Sequence, residues 1–298
     1  EDITSAPRTQ FSNCSIFAQR KLGIYDVNIR LLPDSLNRFA QLHLDVEVDN
    51  SFSTDETIEV GYDIYAPDGK LIDYSVNDLA MTGFSRDTMR FRPWVYHSNP
   101  NRWSPANPKL YDLMLYTKRN GILWEYMPFK VGFAEYGYND KGEITAFGQP
   151  LQLKESRYNA AADRATTEKE IKALKAKGIN CLSPTHPQPQ WFYDICDKVG
   201  IYVIERAAIN PTANGTDRTV GGTPSNNPQL LEHYLNRVKA MYYRTRNYSC
   251  IIAYTLGGEK AGNGYCMYKA YQWLKSVEKE RPVICLSADG EWNTDSLL

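Results

Sequence analysis

Leu42-His43-Leu44-Asp45-Val46-Glu47-Val48 alternates apolar and polar side chains with a period of two, which predicts a strand with one buried face. Ile58 to Tyr65 repeats the pattern. Pro67-Asp68-Gly69-Lys70 predicts the turn that follows, because proline presets φ and glycine tolerates a positive one. Further strands are expected at Lys70 to Tyr74, Thr88 to Phe91, Leu110 to Thr117 and Ile122 to Val131, the last two joined by a hairpin turn at Arg119-Asn120-Gly121. About seven short strands within the first ~130 residues predict a β-sandwich. The Cys…Trp…Cys spacing of antibody domains is missing, so the expected sandwich is immunoglobulin-like without its disulfide.

The pattern changes near Phe133. Asp140-Lys141-Gly142 and Gly148-Gln149-Pro150 read as turns, and strands then alternate with helices. Strands are expected at Leu151 to Tyr158, Ile179 to Leu182, Ile201 to Ile204, Ile251 to Leu256 and Pro282 to Leu286. The first helix is expected to open at Thr166 with a capping box to the glutamates that follow, and to stop at Gly178. The others are Gln190 to Lys198, about Pro228 to Arg246, and Gly264 to Lys279. This βαβαβαβαβ order requires a parallel sheet, either open and doubly wound or an incomplete (β/α)₈ barrel.

Composition changes this picture little. The chain has 298 residues, enough for about two domains, with 42% hydrophobic and 23% charged residues. A formal net charge of −1 without long single-sign runs argues against a nucleic-acid partner. No apolar stretch approaches the ~20 residues of a membrane-spanning helix. The start at Glu1 has no signal-peptide pattern and no initiator Met, so it reads as a mature terminus or an expression boundary. The six cysteines (14, 181, 196, 250, 266 and 285) form no C-x-x-C pair and read as buried free thiols. Four scattered histidines give no support for a metal site, and no cofactor motif is present.

In parallel α/β sheets, functional residues gather at the C-terminal strand ends. That rule selects Arg157, Tyr158 and Asn159, then Thr185 and His186, then Glu205 and Arg206, then Glu259, then Asp289 and Glu291. Glu259 stands out, because a β-branched strand runs into Gly257-Gly258 and then this carboxylate. From the residues alone, a solvated glutamate opening the next helix is the more ordinary fate. Glycoside hydrolysis needs a second carboxylate. Glu205, Asp289 and Glu291 qualify by position, although a surface ion pair is the ordinary expectation for each. His186 is either a structural histidine or a sugar contact. Tyr158, Trp191 and Trp292 are either core packing or stacking platforms for sugar rings.

Trp103-Ser104-Pro105-Ala106-Asn107-Pro108-Lys109-Leu110-Tyr111 resembles the W-S-P-x-N-P-x-L-Y segment of the β-galactosidase and β-glucuronidase family, glycoside hydrolase family 2. Leu22-Gly23-Ile24-Tyr25-Asp26-Val27, Phe129-Lys130-Val131-Gly132-Phe133, Phe192 to Asp197 with Val203-Ile204, and Arg281-Pro282-Val283 resemble other segments of that family, in the same order. The resemblance implies residues 1–21 as the remnant of a preceding jelly roll or tail, 22–133 as the immunoglobulin-like sandwich, and 134–298 as the N-terminal part of a TIM barrel. It implies a retaining β-galactosidase-like glycosidase acting on carbohydrate, with no cofactor. Many such relatives are exported by polysaccharide-degrading bacteria, and the compartment of this chain stays open.

Thr255-Leu256-Gly257-Gly258-Glu259 is similar to the family's S-L-G-N-E, which makes Glu259 the implied general acid/base. Arg157, Tyr158, His186 and Gly258 are the implied substrate-binding positions. The departures are specific. Gly258 replaces the asparagine that meets the sugar 2-hydroxyl, and Ser156-Arg157-Tyr158 keeps only the arginine of N-R-H. Ser183-Pro184-Thr185-His186-Pro187 keeps the histidine of R-T-S-H-Y-P. Asn210 and Thr212 replace a glutamate and a histidine that help hold magnesium in some relatives, so no such metal site is expected. The implied nucleophile lies on a later strand. This polypeptide alone is therefore expected to be inactive, with self-association or a partner chain completing the barrel. The alternative is a decayed carbohydrate-binding or scaffold protein.

Overall fold

The computed structural model describes residues 18–33, 39–96, 101–210, 217, 219–288 and 294–295. The chain forms two compact units. The first contains β1 (Leu22–Pro33), β2 (Phe39–Asn50), β3 (Glu56–Tyr65), β4 (Leu71–Met81), β5 (Ser85–Phe91), β6 (Trp94–Tyr96), β7 (Tyr111–Arg119) and β8 (Ile122–Val131). One sheet runs β1-β2-β5 with β6 paired to β2, and the other runs β4-β3-β7-β8. In β2 the even-numbered residues from Ala40 to Val48 are at most 3% exposed, so the period of two is the burial pattern itself. Leu113 and Leu115 of β7 are buried in the same way. Tyr62 of one sheet meets Phe91 of the other edge to face at 4.9 Å. Its hydroxyl donates to Asp73 at 2.8 Å. Asn120 and Gly121 both take positive φ (54° and 74°), the primed turn that suits a two-residue hairpin.

The second unit takes in the described part of His97–Leu110 and the chain from Val131 onward. It opens with a small antiparallel sheet of β9 (Tyr136–Tyr138), β10 (Ile144–Ala146) and β11 (Gln149–Pro150). The turn expected at Gly148-Gln149-Pro150 is therefore displaced. Phe147 and Gly148 carry the positive φ, while Gln149 and Pro150 pair with β10.

The parallel sheet follows: β12 (Glu155–Arg157), α1 (Arg164–Ala176), β13 (Cys181–Ser183), α2 (Gln190–Val199), β14 (Tyr202–Arg206), α3 (Leu231–Thr245), β15 (Ile251–Thr255), α4 (Tyr265–Val277) and β16 (Val283–Ile284). Strand order is sequential and every pairing is parallel. This is the five-stranded first part of a (β/α)₈ barrel. The five described cysteines are free and buried in it.

The first helix departs from its expected start. Asp163 is its N-cap, and the Asp163 carboxylate accepts from Thr166 N at 2.8 Å. Thr167 is buried instead, its hydroxyl accepting from Ala161 N at 2.9 Å. Asp163→Ala is expected to lower the thermal midpoint by about 2 °C, and Thr166→Val, which keeps the backbone donor and loses only the hydroxyl contact to Asp163, to lower it by less. Equal losses in the two variants would refute this assignment of the cap.

At the N-terminal end of the sheet, Asp197 is fully buried and accepts from Cys250 N at 2.6 Å and Ser249 N at 3.3 Å. Its carbonyl accepts from the Trp103 indole at 2.9 Å. Gly132 N donates to Ser249 Oγ at 2.7 Å. The Trp103 segment thus belongs to the core of the barrel unit.

Candidate active site

Alternation along β12 sends neighbouring side chains to opposite faces. Arg157 turns to the mouth at the C-terminal strand ends and pairs through Nη2 with the Glu259 carboxylate, which follows β15. Both side chains are about two-thirds exposed (63% and 66%), so solvent screens the pair and its worth lies in placement rather than stability. Tyr158 turns the other way. Its hydroxyl donates to Glu170 of α1 at 2.6 Å, and its ring stacks on Phe192 at 6.4 Å. Burial, then the Glu170 contact, pushes its pKa up to about 12. Tyr158 is not brought together with Arg157 and Glu259.

The loops after β12 and β13 are stitched by amides. Asn159 Oδ1 accepts from Thr185 N at 2.9 Å, and its Nδ2 donates to Thr185 Oγ1 at 3.0 Å. His186 is exposed, with Nδ1 3.0 Å from Thr185 Oγ1. Gln188 is buried, donates to the His186 carbonyl at 2.6 Å and accepts from Ala160 N at 2.8 Å. Sequence reasoning missed Gln188, since a glutamine between two prolines carries no pattern of its own.

The same alternation separates Glu205 from Arg206 on β14. Arg206 lies near Arg157 and Glu259. Burial, then the Arg157 charge, lowers its pKa. Glu205 points to the helix layer, near Tyr193 of α2 and Arg244 of α3. It is wholly buried, and neither carboxylate oxygen has a partner in good hydrogen-bond geometry among the described residues. The surface ion pair expected for Glu205 is therefore overturned. Burial pushes its pKa up to about 8, with Tyr193 and the backbone of Arg206 pulling against that. Trp191 is half-buried against the hydrophobic core. Asp289, Glu291, Trp292 and Thr212 lie outside the described residues. Asn210 carries a neutral amide at the position for which the resemblance implied a carboxylate.

Two family models match the chain. "Glycosyl hydrolases family 2" covers residues 23–133, and "Glycosyl hydrolases family 2, TIM barrel domain" covers 154–297. A β-galactosidase of Streptococcus thermophilus is 27% identical over 92% of this chain, which spans 27% of that relative. One of Lactobacillus delbrueckii subsp. bulgaricus is 33% identical over 57% of the chain and 18% of its own length. The chain thus spans about a quarter or less of the curated relatives it matches. Among solved structures, a glycosyl hydrolase family 2 member from Bacteroides cellulosilyticus superposes with a TM-score of 0.75 at 16% identity, covering 89% of this chain and 35% of that one. A Bacteroides uniformis β-glucuronidase gives 0.71 at 16% identity, covering 89% and 34%. Those structural likenesses carry the fold, and the two family models together carry the assignment: the chain belongs to glycoside hydrolase family 2.

Proposed function

We propose that this chain carries the proton-donor side of a glycosidase site, with Glu259 serving the glycosidic oxygen of a β-galactoside or related β-glycoside. The observation that carries this reading is the position of Glu259. It follows the fourth parallel strand of a barrel directly, behind two glycines, and is met by Arg157 from the end of the first strand. Arg157, His186 and Gly258 are its proposed substrate contacts. The geometry of Tyr158 supports packing against α1 instead.

Retaining hydrolysis needs a nucleophilic carboxylate beside the acid. Glu205 is sealed behind the sheet, and Glu155 is tied to Ser183. Because the resemblance implies a nucleophile on a later strand, the 298-residue polypeptide by itself is expected to show no turnover of chromogenic β-galactoside, β-glucuronide, β-glucoside or β-mannoside. Turnover lost in Glu259→Gln would mean that a second carboxylate within this polypeptide completes the site. A second reading, sugar binding without hydrolysis, is favoured by the ion pair, because Arg157 occupies the carboxylate that would have to meet the glycosidic oxygen. Sugar binding with no turnover by the entire natural protein would select that reading.

A further inference from the structure

Gly61 sits in the middle of β3, where a glycine weakens a strand unless something approaches its backbone closely. Here the approaching group is a ring. A Cβ at position 61 would meet Tyr116 of β7 at three adjacent atoms, Cζ at 2.5 Å, Cε2 at 2.6 Å and Oη at 2.7 Å. Cε2 and Oη are both bonded to Cζ, and a point beside the ring would lie nearer to them than to Cζ. These distances therefore put the point over the face of the ring. One face of Tyr116 rests on the backbone of Gly61, and the other is turned away from the sheet.

The ring is flanked by acid. Side chains on one face of a strand repeat every second position, so Glu59 and Asp63 stand on either side of Gly61. Tyr116 feels both, since burial, then the Asp63 charge, then that of Glu59, raises its pKa. The register sets Tyr74 and Met114 beside Asp63, and Asp78 and Lys118 beside Glu59. Tyr126 of β8 donates to Met114 Sδ at 2.9 Å, which extends the same face by one strand. Tyr74 is 68% exposed and Tyr126 54%. The Asp63 carboxylate makes no hydrogen bond or ion pair among the described residues. Glu59 and Asp78 are like charges directly opposite each other, an arrangement that costs stability. Three carboxylates against one lysine leave the face acidic.

We propose that the outer face of the β4-β3-β7-β8 sheet is a second carbohydrate-binding surface, where a neutral hexopyranose of a glycan chain stacks on Tyr116 and donates hydroxyls to Asp63 and Glu59. A pyranose has an apolar C–H face and a rim of hydroxyl donors. The outward face of Tyr116 matches the first, and acceptor-only carboxylates match the second. Hydrogen bonds to an ionised acceptor are the stronger kind. The acidic rim selects against sugars that carry a carboxylate or sulfate, because like charges across an interface repel. The surface is built from residues of the first unit alone, so it does not rest on the reading of Glu259.

The test is an NMR titration of the whole chain with cellotetraose and galactotetraose, both neutral, and with tetragalacturonate. The amide signals of Gly61 and Asp63 are expected to shift with a neutral tetrasaccharide and to stay in place with tetragalacturonate. Tyr116→Leu keeps an apolar cover over Gly61 and loses the ring, and is expected to weaken that binding about tenfold. Asp63→Asn keeps the shape and loses the charge, and is expected to weaken it about threefold. The circular dichroism spectrum shows that both variants are folded. The surface is overturned if neither neutral sugar moves Gly61 and Asp63, if tetragalacturonate moves them equally, or if binding is undiminished in both variants. Shifts confined to the residues around Glu259 would likewise overturn it and leave the glycosidase reading intact.

Discussion

Trp103→Ala is expected to cost the barrel unit about 3–5 kcal/mol, the range for truncating a large aromatic in a packed core. Trp103 is 1% exposed and meets the Tyr202 ring edge-on at 5.8 Å. Its indole N–H caps the carbonyl of Asp197, whose carboxylate in turn holds the backbone at the start of β15. Truncation therefore opens a cavity and leaves a buried carbonyl without its partner at the same time. Trp103→Phe separates the two effects, since it keeps most of the packing and loses about 1 kcal/mol for the hydrogen bond. Urea denaturation of the full chain reads both. Gly132→Ala should act like Trp103→Ala in kind, because a Cβ there would lie 2.7 Å from Trp103 Cγ and 2.7 Å from Ser249 Oγ. A Trp103→Ala variant with an unchanged midpoint would show that the segment holding Trp103 is dispensable to the barrel core.

What the sequence revealed and what it hid follow from the range of the forces involved. β2 was legible because burial of one sheet face imposes a period of two on side-chain polarity. β15 was legible because a strand covered on both faces reads as a continuous apolar run, Ile251 to Tyr254. β10 and β11 were hidden, since strands of two or three residues are too short to show a period. The Asp163 cap was hidden by Thr166, which offers the same chemistry three residues later, and only the backbone path decides between them. At the candidate site, residue types pointed to strand ends but could not say which face each side chain takes. Arg157 and Tyr158 are adjacent, so at most one of them can face the mouth, and the same holds for Glu205 and Arg206. Which member of each pair faces the mouth is set by register against β13 and β15, a long-range fact. The resemblance pointed to Glu259 and to Gly258 before it. That Asn210 comes close to Gly258 needed coordinates, because the two residues lie on different loops.

Glu205 sets the second large effect, and its sign can be worked out. The unfolded chain releases this proton near the ordinary glutamate value of 4.5, whereas burial holds the folded-state pKa at about 8. Between those values the folded state carries the extra proton, so stability falls as pH rises through the window and levels off above about 8. A shift of this size corresponds to at most about 5 kcal/mol. Asp197 acts in the same direction, raised by burial from 3.8 to about 7. The groups facing Glu205 are the Tyr193 hydroxyl, the backbone of Arg206 and the Arg244 and Arg206 charges, and together they offset its burial only in part. Urea midpoints for the wild-type chain are therefore expected to drop between pH 5 and pH 8. Glu205→Gln, which cannot ionise, should show a clearly shallower drop and exceed the wild type at pH 8, the residual slope belonging to Asp197. Parallel pH profiles for the two proteins would mean that Arg244 or water reaches the carboxylate and stabilises its charge, so that Glu205 is ionised in the folded chain at neutral pH.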